Sequence, residues 1–188
     1  MPLLNRATLT KIHMLLAAFI FPVAVMFLVT GSLYTWDIKG SYDTDVYMIE
    51  LAQPLTEDQQ ALRSLVEQEL AARSIDAPSG AAKVKKGGTS FKLEWTGAAR
   101  DVVLEPTADG SVAKLTIKET TWYRNLVQLH KAKGGQLFKV YAAILAVSLF
   151  TILASGFLMA WQVPKYRRQA LIFSALGICM FLLIVASS

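Results

Sequence analysis

Leu129-His130-Lys131-Ala132-Lys133-Gly134-Gly135 stands where a charged region gives way, after Lys139, to Val140-Tyr141-Ala142 and a run without an ionisable group, the Tyr141 phenol apart, as far as Val163. At about 1.5 Å per helical residue, such a run crosses the ~30 Å hydrocarbon core of a bilayer. It halts against Lys165, Arg167 and Arg168. This one stretch predicts a transmembrane helix and its direction, and it sets one of only two histidines at the outer approach to the membrane.

Two more uncharged runs lie on either side, Met14 to Leu33 and Gln169 to Ser188. With 54% hydrophobic residues in a chain of 188, three spans leave room for only one small folded unit. The first run holds about 20 apolar residues with neither a compact core nor a small-x-small cleavage site, and reads as a retained span rather than a signal peptide.

The net charge of +5 would suit a nucleic-acid binder if it were gathered on the folded unit. It is not. All fourteen acids lie between Asp37 and Glu119, where fourteen of the nineteen bases between Lys39 and Lys139 match them. The surplus is Arg6 and Lys11 before the first span, and Lys165, Arg167 and Arg168 between the second and third. Bases in short flanks mark the cytoplasmic side. The expected topology has a cytoplasmic N-terminus, residues 37–133 outside, the 164–168 turn inside and the C-terminus outside, with no nucleic-acid partner. Cys179 is the only cysteine, which excludes an intrachain disulfide and a C-x-x-C motif, and it reads as a small apolar packing residue.

A short polar leader over residues 1–10 runs into a first helix that Thr8 or Thr10 would cap. On a 3.6 period His13, Ala17, Ile20, Ala24, Phe27, Gly31 and Tyr34 form one stripe, whose small residues allow close approach. Pro22 predicts a kink. Residues 37–54 carry a weak pattern, a linker or irregular strand around Val46-Tyr47-Met48-Ile49. A helix follows, with Thr56 as cap, acids in its first turn, an apolar face of Leu62, Leu65, Val66 and Leu70, and an end at Ala77-Pro78-Ser79-Gly80. Alternating segments Ala82 to Lys86, Ser90 to Trp95, Asp101 to Glu105 and Ser111 to Lys118, parted by Gly87-Gly88, Thr96-Gly97 and Asp109-Gly110, predict strands joined by turns. Glu119 to Lys133 reads as a helix with Trp122, Leu126, Leu129 and His130 on one side, and Gly134-Gly135 permits a bend into the second span.

The expected organisation is a leader and first transmembrane helix over 1–36, an α+β domain with a connecting helix over 37–133, a second transmembrane helix over 134–163, a basic turn at 164–168 and a third transmembrane helix over 169–188. Leu28 to Trp36 (L-V-T-G-S-L-Y-T-W) aligns without gaps with Leu153 to Trp161 (L-A-S-G-F-L-M-A-W). Because the two spans run oppositely, the likeness is either an inverted repeat or a chance resemblance of apolar helices bearing a Gly and an interfacial Trp.

Several features together resemble the PepSY-associated transmembrane family. They are Val102-Val103-Leu104-Glu105-Pro106 with Asp109-Gly110 behind it, Leu129-His130, the Ser-Gly-x-Leu-x-x-Trp end of the second span, Lys11-Ile12-His13, and Thr30-Gly31. The resemblance covers nearly the whole chain. It implies an α-helical membrane protein of three transmembrane helices with a small extracytoplasmic, PepSY-like α+β domain, in the bacterial inner membrane. Members of the family include siderophore reductases that carry haem on histidines between membrane helices. They are usually about twice this length, so this chain is similar to one module of them, and whether it is an enzyme by itself is left open.

His13 and His130 are then the candidate axial ligands of haem b iron, the alternative being that both are polar residues at helix ends. The topology separates them by about a bilayer thickness, so one chain cannot clamp one haem with this pair, and a two-fold homodimer with paired His13 and paired His130 would hold two. Lys11, Arg124, Lys131 and Lys133 are candidate propionate or lipid-phosphate contacts, or else snorkelling surface charges. Gly31 and Gly156 are candidate points of close approach. Tyr34, Trp36, Trp122 and Trp161 read as interface anchors. The expected role is electron transfer toward ferric iron or a ferric siderophore. The alternatives are an anchored binding module, inhibitor-like or chaperone-like, and an accessory subunit of a membrane complex. No catalytic triad, paired catalytic carboxylates, Walker loop or dinucleotide fingerprint is present.

Overall fold

The computed structural model describes residues 5–88 and 90–187; residues 1–4 of the expected leader and Ser188 of the expected third span lie outside the described residues. In chain order the elements are α1 (Arg6–Thr35), β1 (Tyr42–Glu50), α2 (Gln59–Ala72), β2 (Ala82–Gly87), β3 (Ser90–Thr96), β4 (Arg100–Pro106), β5 (Val112–Thr120), α3 (Trp122–His130), α4 (Gly135–Gln162) and α5 (Pro164–Ser187). The helices α1, α4 and α5 are each long and apolar enough to cross a membrane. The chain forms two compact units, Met1–Ala24 with Ala143–Ser188, and Val25–Ala142. Their borders fall inside α1, between Ala24 and Val25, and inside α4, between Ala142 and Ala143.

In the first unit, Leu9, Ile20, Val23 and Leu145 are buried together with the small polar Ser148 and Ser155. Asn5 caps α1 in place of Thr8 or Thr10, its Oδ1 accepting from the Thr8 N–H at 2.8 Å. The Thr10 hydroxyl instead donates to the Arg6 carbonyl at 2.9 Å, since inside a helix a threonine finds its nearest acceptor one turn back. The expected basic turn at 164–168 is helical. Only Val163 interrupts the helices, and Arg167 donates from Nε to the Trp161 carbonyl at 2.5 Å, satisfying one of the free carbonyls at the end of α4. No described residue of α5 is buried, and Cys179 is exposed on its surface.

The second unit is built on an antiparallel sheet in the order β1-β5-β4-β3-β2. Alternation along β3, β4 and β5 turns Leu93, Trp95, Val102, Leu104, Ala113, Leu115 and Ile117 to one face, where Leu62, Val66 and Leu70 of α2 cover them. Truncating a fully buried leucine here to alanine would cost about 2–5 kcal/mol. The expected irregular strand is the regular edge strand β1, paired with β5 from Tyr42↔Thr120 to Glu50↔Val112. An edge strand has a single neighbour and most of β1 is exposed, so no burial pattern marks it in the sequence. Asp58, not Thr56, caps α2, accepting from the Gln60 N–H at 3.0 Å; the first turn holds no acid, and the helix ends at Ala72, before the expected stop, with Ser74 in the left-handed region at φ 58°. Glu119 and Thr120 belong to β5 and not to a helix. In α3 the buried residues are Val127 and Gln128, and Trp122 is 78% exposed rather than on the packed side.

Candidate functional site at the two histidines

His130 is the last residue of α3, and its ring turns onto α1. Its Nδ1 lies 2.8 Å from the hydroxyl of Thr30, which is itself 1% exposed. That hydroxyl also reaches the Met26 carbonyl of its own helix at 2.6 Å. A hydroxyl has one proton to give. With that proton on the carbonyl, Thr30 accepts from Nδ1–H, and the lone pair of the imidazole is fixed on Nε2. Phe27 flanks the ring, centroids 4.6 Å apart, and a Cβ built on Gly31 would stand 3.1 Å from its Cε1.

His13 repeats the arrangement within the other unit. Its Nδ1 lies 3.0 Å from the Ser155 hydroxyl, which donates to the Ile152 carbonyl at 3.0 Å. The same argument leaves the lone pair on Nε2. A Cβ on Gly156 would stand 3.7 Å from the His13 Cε1. Among the described residues neither Nε2 has a hydrogen-bond partner, and an unprotonated, unoccupied Nε2 is the form in which imidazole ligates iron. Thr30-Gly31 and Ser155-Gly156 occupy equivalent places in the Leu28–Trp36 and Leu153–Trp161 likeness. The likeness therefore coincides with a repeated contact: a hydroxyl-glycine step that receives a histidine from elsewhere in the chain.

The chain matches the family described as the PepSY-associated TM region over residues 4–167. It belongs to that family. No curated protein and no solved structure matches the chain.

Elsewhere in this PepSY-associated TM protein, a polar cluster ties α3 to the sheet. The Tyr42 hydroxyl donates to Asp101 Oδ2 at 2.8 Å and accepts from Arg124 Nη2 and Gln128 Nε2, each at 2.9 Å. Gln128 also donates to Asp101 at 3.1 Å, and the Gly97 N–H donates to the other carboxylate oxygen at 3.1 Å. Burial pushes the Tyr42 phenol up against the opposing pull of Arg124, and Asp101 adds to the rise. Arg124 is thus engaged with Tyr42 and, at 3.1 Å, with the Lys39 carbonyl. Lys133 lies 3.6 Å from Asp101 Oδ1, and Lys131 stands 5.7 Å from the Tyr34 ring centroid. Lys11 is exposed. Among the described residues no three His, Cys, Asp or Glu side chains come together as a metal cluster.

Sequence reasoning singled out the histidines and glycines but did not assign the Thr30 and Ser155 hydroxyls as their partners. The signal available was the aligned Thr-Gly and Ser-Gly steps. Gln128 and Tyr42 gave none, because a glutamine and a tyrosine acquire a buried role only through residues distant in sequence.

Proposed function

We propose that the protein is a haem-binding electron-transfer module of the bacterial inner membrane, assisting the reduction of ferric iron or a ferric siderophore. The repeated contact of His130 with Thr30-Gly31 and of His13 with Ser155-Gly156 carries this reading. His13 and His130 would each offer Nε2 as an axial ligand to a haem b. The hydroxyls hold the imidazole tautomer and ring direction, a supporting contact that usually matters about 10- to 100-fold in affinity. Gly31 and Gly156 leave room at the ring edge, and the apolar helices exclude water. Haem b, when bound, supplies one-electron chemistry.

Each chain provides one imidazole at each place, so a second copy related by a two-fold axis would complete the coordination. The basic flanks at Arg6–Lys11 and at Lys165, Arg167 and Arg168 support an N-terminus in the cytoplasm, with residues 37–133 and the C-terminus in the periplasm. Electrons would then pass outward. The absorption spectrum of detergent-purified protein grown with haem tests the reading. A Soret band with paired α and β bands on reduction is expected, halved by His13→Ala or His130→Ala and abolished by both. A featureless visible spectrum would overturn it.

A second reading, an anchored binding module without a redox centre, draws on the sheet face opposite α2. There a cavity of about 590 Å³ is lined by Thr44, Val46, Val103, Glu105, Lys114 and Lys118 among others. That face binding a periplasmic protein, with no haem retained, would favour it.

A further inference from the structure

A second cavity of about 650 Å³, which shares Glu94, Thr96 and Lys133 with the first, opens where the free edge of β2 faces the turn between α3 and α4. Lys83, Lys85, Lys133 and Lys139 line it, and Glu94 is the only acid among its lining residues. Glu94 is already bonded to Lys85 at 2.5 Å and Lys92 at 2.9 Å. Lys83 and Lys139 have no ion-pair partner among the described residues, so the cavity is left strongly positive. Its floor is the start of α4. Gly135, at φ +78°, lets the turn close to within contact of the Ser79 carbonyl, where a Cβ would stand at 3.2 Å. No group outside the helix among the described residues accepts from the N–H groups of Gly135 and Gln136, which adds the positive end of a 28-residue helix.

The position of the cavity selects the kind of anion. Lys139 is the last charge before the uncharged run to Val163, and Leu137, between Gln136 and Lys139 in sequence, is 88% exposed. A helical turn with a bare leucine beside lysines, at the mouth of a membrane span, lies at the level of lipid headgroups. We infer that this cavity binds the phosphate of an anionic phospholipid headgroup in the leaflet next to the sheet unit, with Lys83 and Lys139 as its principal cations and Lys133 beside them. The inference does not depend on haem.

Native mass spectrometry of the full-length chain in detergent, titrated with phosphatidylglycerol or phosphatidylcholine, tests it. The wild type should retain phosphatidylglycerol about tenfold better than phosphatidylcholine, and Lys83→Gln with Lys139→Gln should remove at least that preference. Lys83→Arg with Lys139→Arg should keep it, and so should Lys114→Gln with Lys118→Gln, which line only the neighbouring cavity on the same sheet face, with the circular dichroism of every variant confirming the sheet. Undiminished phosphatidylglycerol retention by the double glutamine variant would overturn the assignment. So would equal loss in the Lys114, Lys118 variant, or displacement of the lipid from wild type by millimolar inorganic phosphate, which would make this a site for free oxyanions.

Discussion

The Thr30 hydroxyl lies 2.8 Å from Nδ1 of His130 and 2.6 Å from the Met26 carbonyl, and with its one proton on that carbonyl it sets which ring nitrogen of the histidine carries the lone pair. Removing the hydroxyl while keeping the shape isolates this effect. Thr30→Val should lower haem retention at the His130 site by about 10-fold or more, whereas Thr30→Ser should hold it near wild type. Haem-to-protein ratio and the reduced spectrum measure both. Equal behaviour of the two variants would mean that the hydroxyl does not position the ring.

Gly31 and Gly156 occupy equivalent places in the likeness but differ in the room they leave. A Cβ at Gly31 would meet His130 Cε1 at 3.1 Å and displace the ring by a few tenths of an ångström, whereas at Gly156 the distance of 3.7 Å to His13 is ordinary contact. Gly31→Ala should therefore perturb the spectrum or haem content, and Gly156→Ala should leave both unchanged. Each substitution also raises helix propensity, by about 0.5–1 kcal/mol, so a loss at position 31 alone cannot come from the helix itself.

Tyr42 joins Asp101, Gln128 and Arg124, and Tyr42→Phe leaves the Arg124 Nη2 without this acceptor. The expected loss is about 1–3 kcal/mol of stability, read by urea unfolding of the sheet signal. The phenol holds its proton more tightly folded than unfolded, since burial raises its pKa. The unfolded chain deprotonates first as pH climbs past about 10, so stability falls from there through the higher folded value. Tyr42→Phe should lack that alkaline slope.

At the acid end, Lys85, with Lys92 behind it, holds the Glu94 carboxyl below the usual carboxylate range despite partial desolvation. The folded chain keeps this carboxylate ionised to lower pH than the unfolded chain does. The contribution is present above the ordinary glutamate value and is lost as pH falls through the depressed one. Glu94→Gln should flatten this part of the acid unfolding curve and lower stability at every pH above it, while leaving the alkaline slope set by Tyr42 in place.

The membrane helices, β2 to β5 and the bend at Gly134-Gly135 were legible because each rests on a local pattern: an uncharged run of sufficient length, two-residue alternation, a turn dipeptide. Local patterns misplaced other features for definite reasons. β1 has only one neighbouring strand and little burial to impose alternation, Asp58 competes with Thr56 for the same cap, and the chemistry that ends β5 at Thr120 is its pairing with Tyr42.

The sequence by itself determined that this chain carries three helices long and apolar enough to cross a membrane, one small α+β unit and two histidines near the starts of the first two of those helices, because length, charge and hydropathy act residue by residue along the chain. Only the tertiary structure decided what those histidines face. Thr30 and His130 are 100 positions apart, and Ser155 and His13 are 142 apart, so no periodicity connects them. Their meeting depends on helix packing, which brings an imidazole against a hydroxyl and a glycine only once the whole chain has folded.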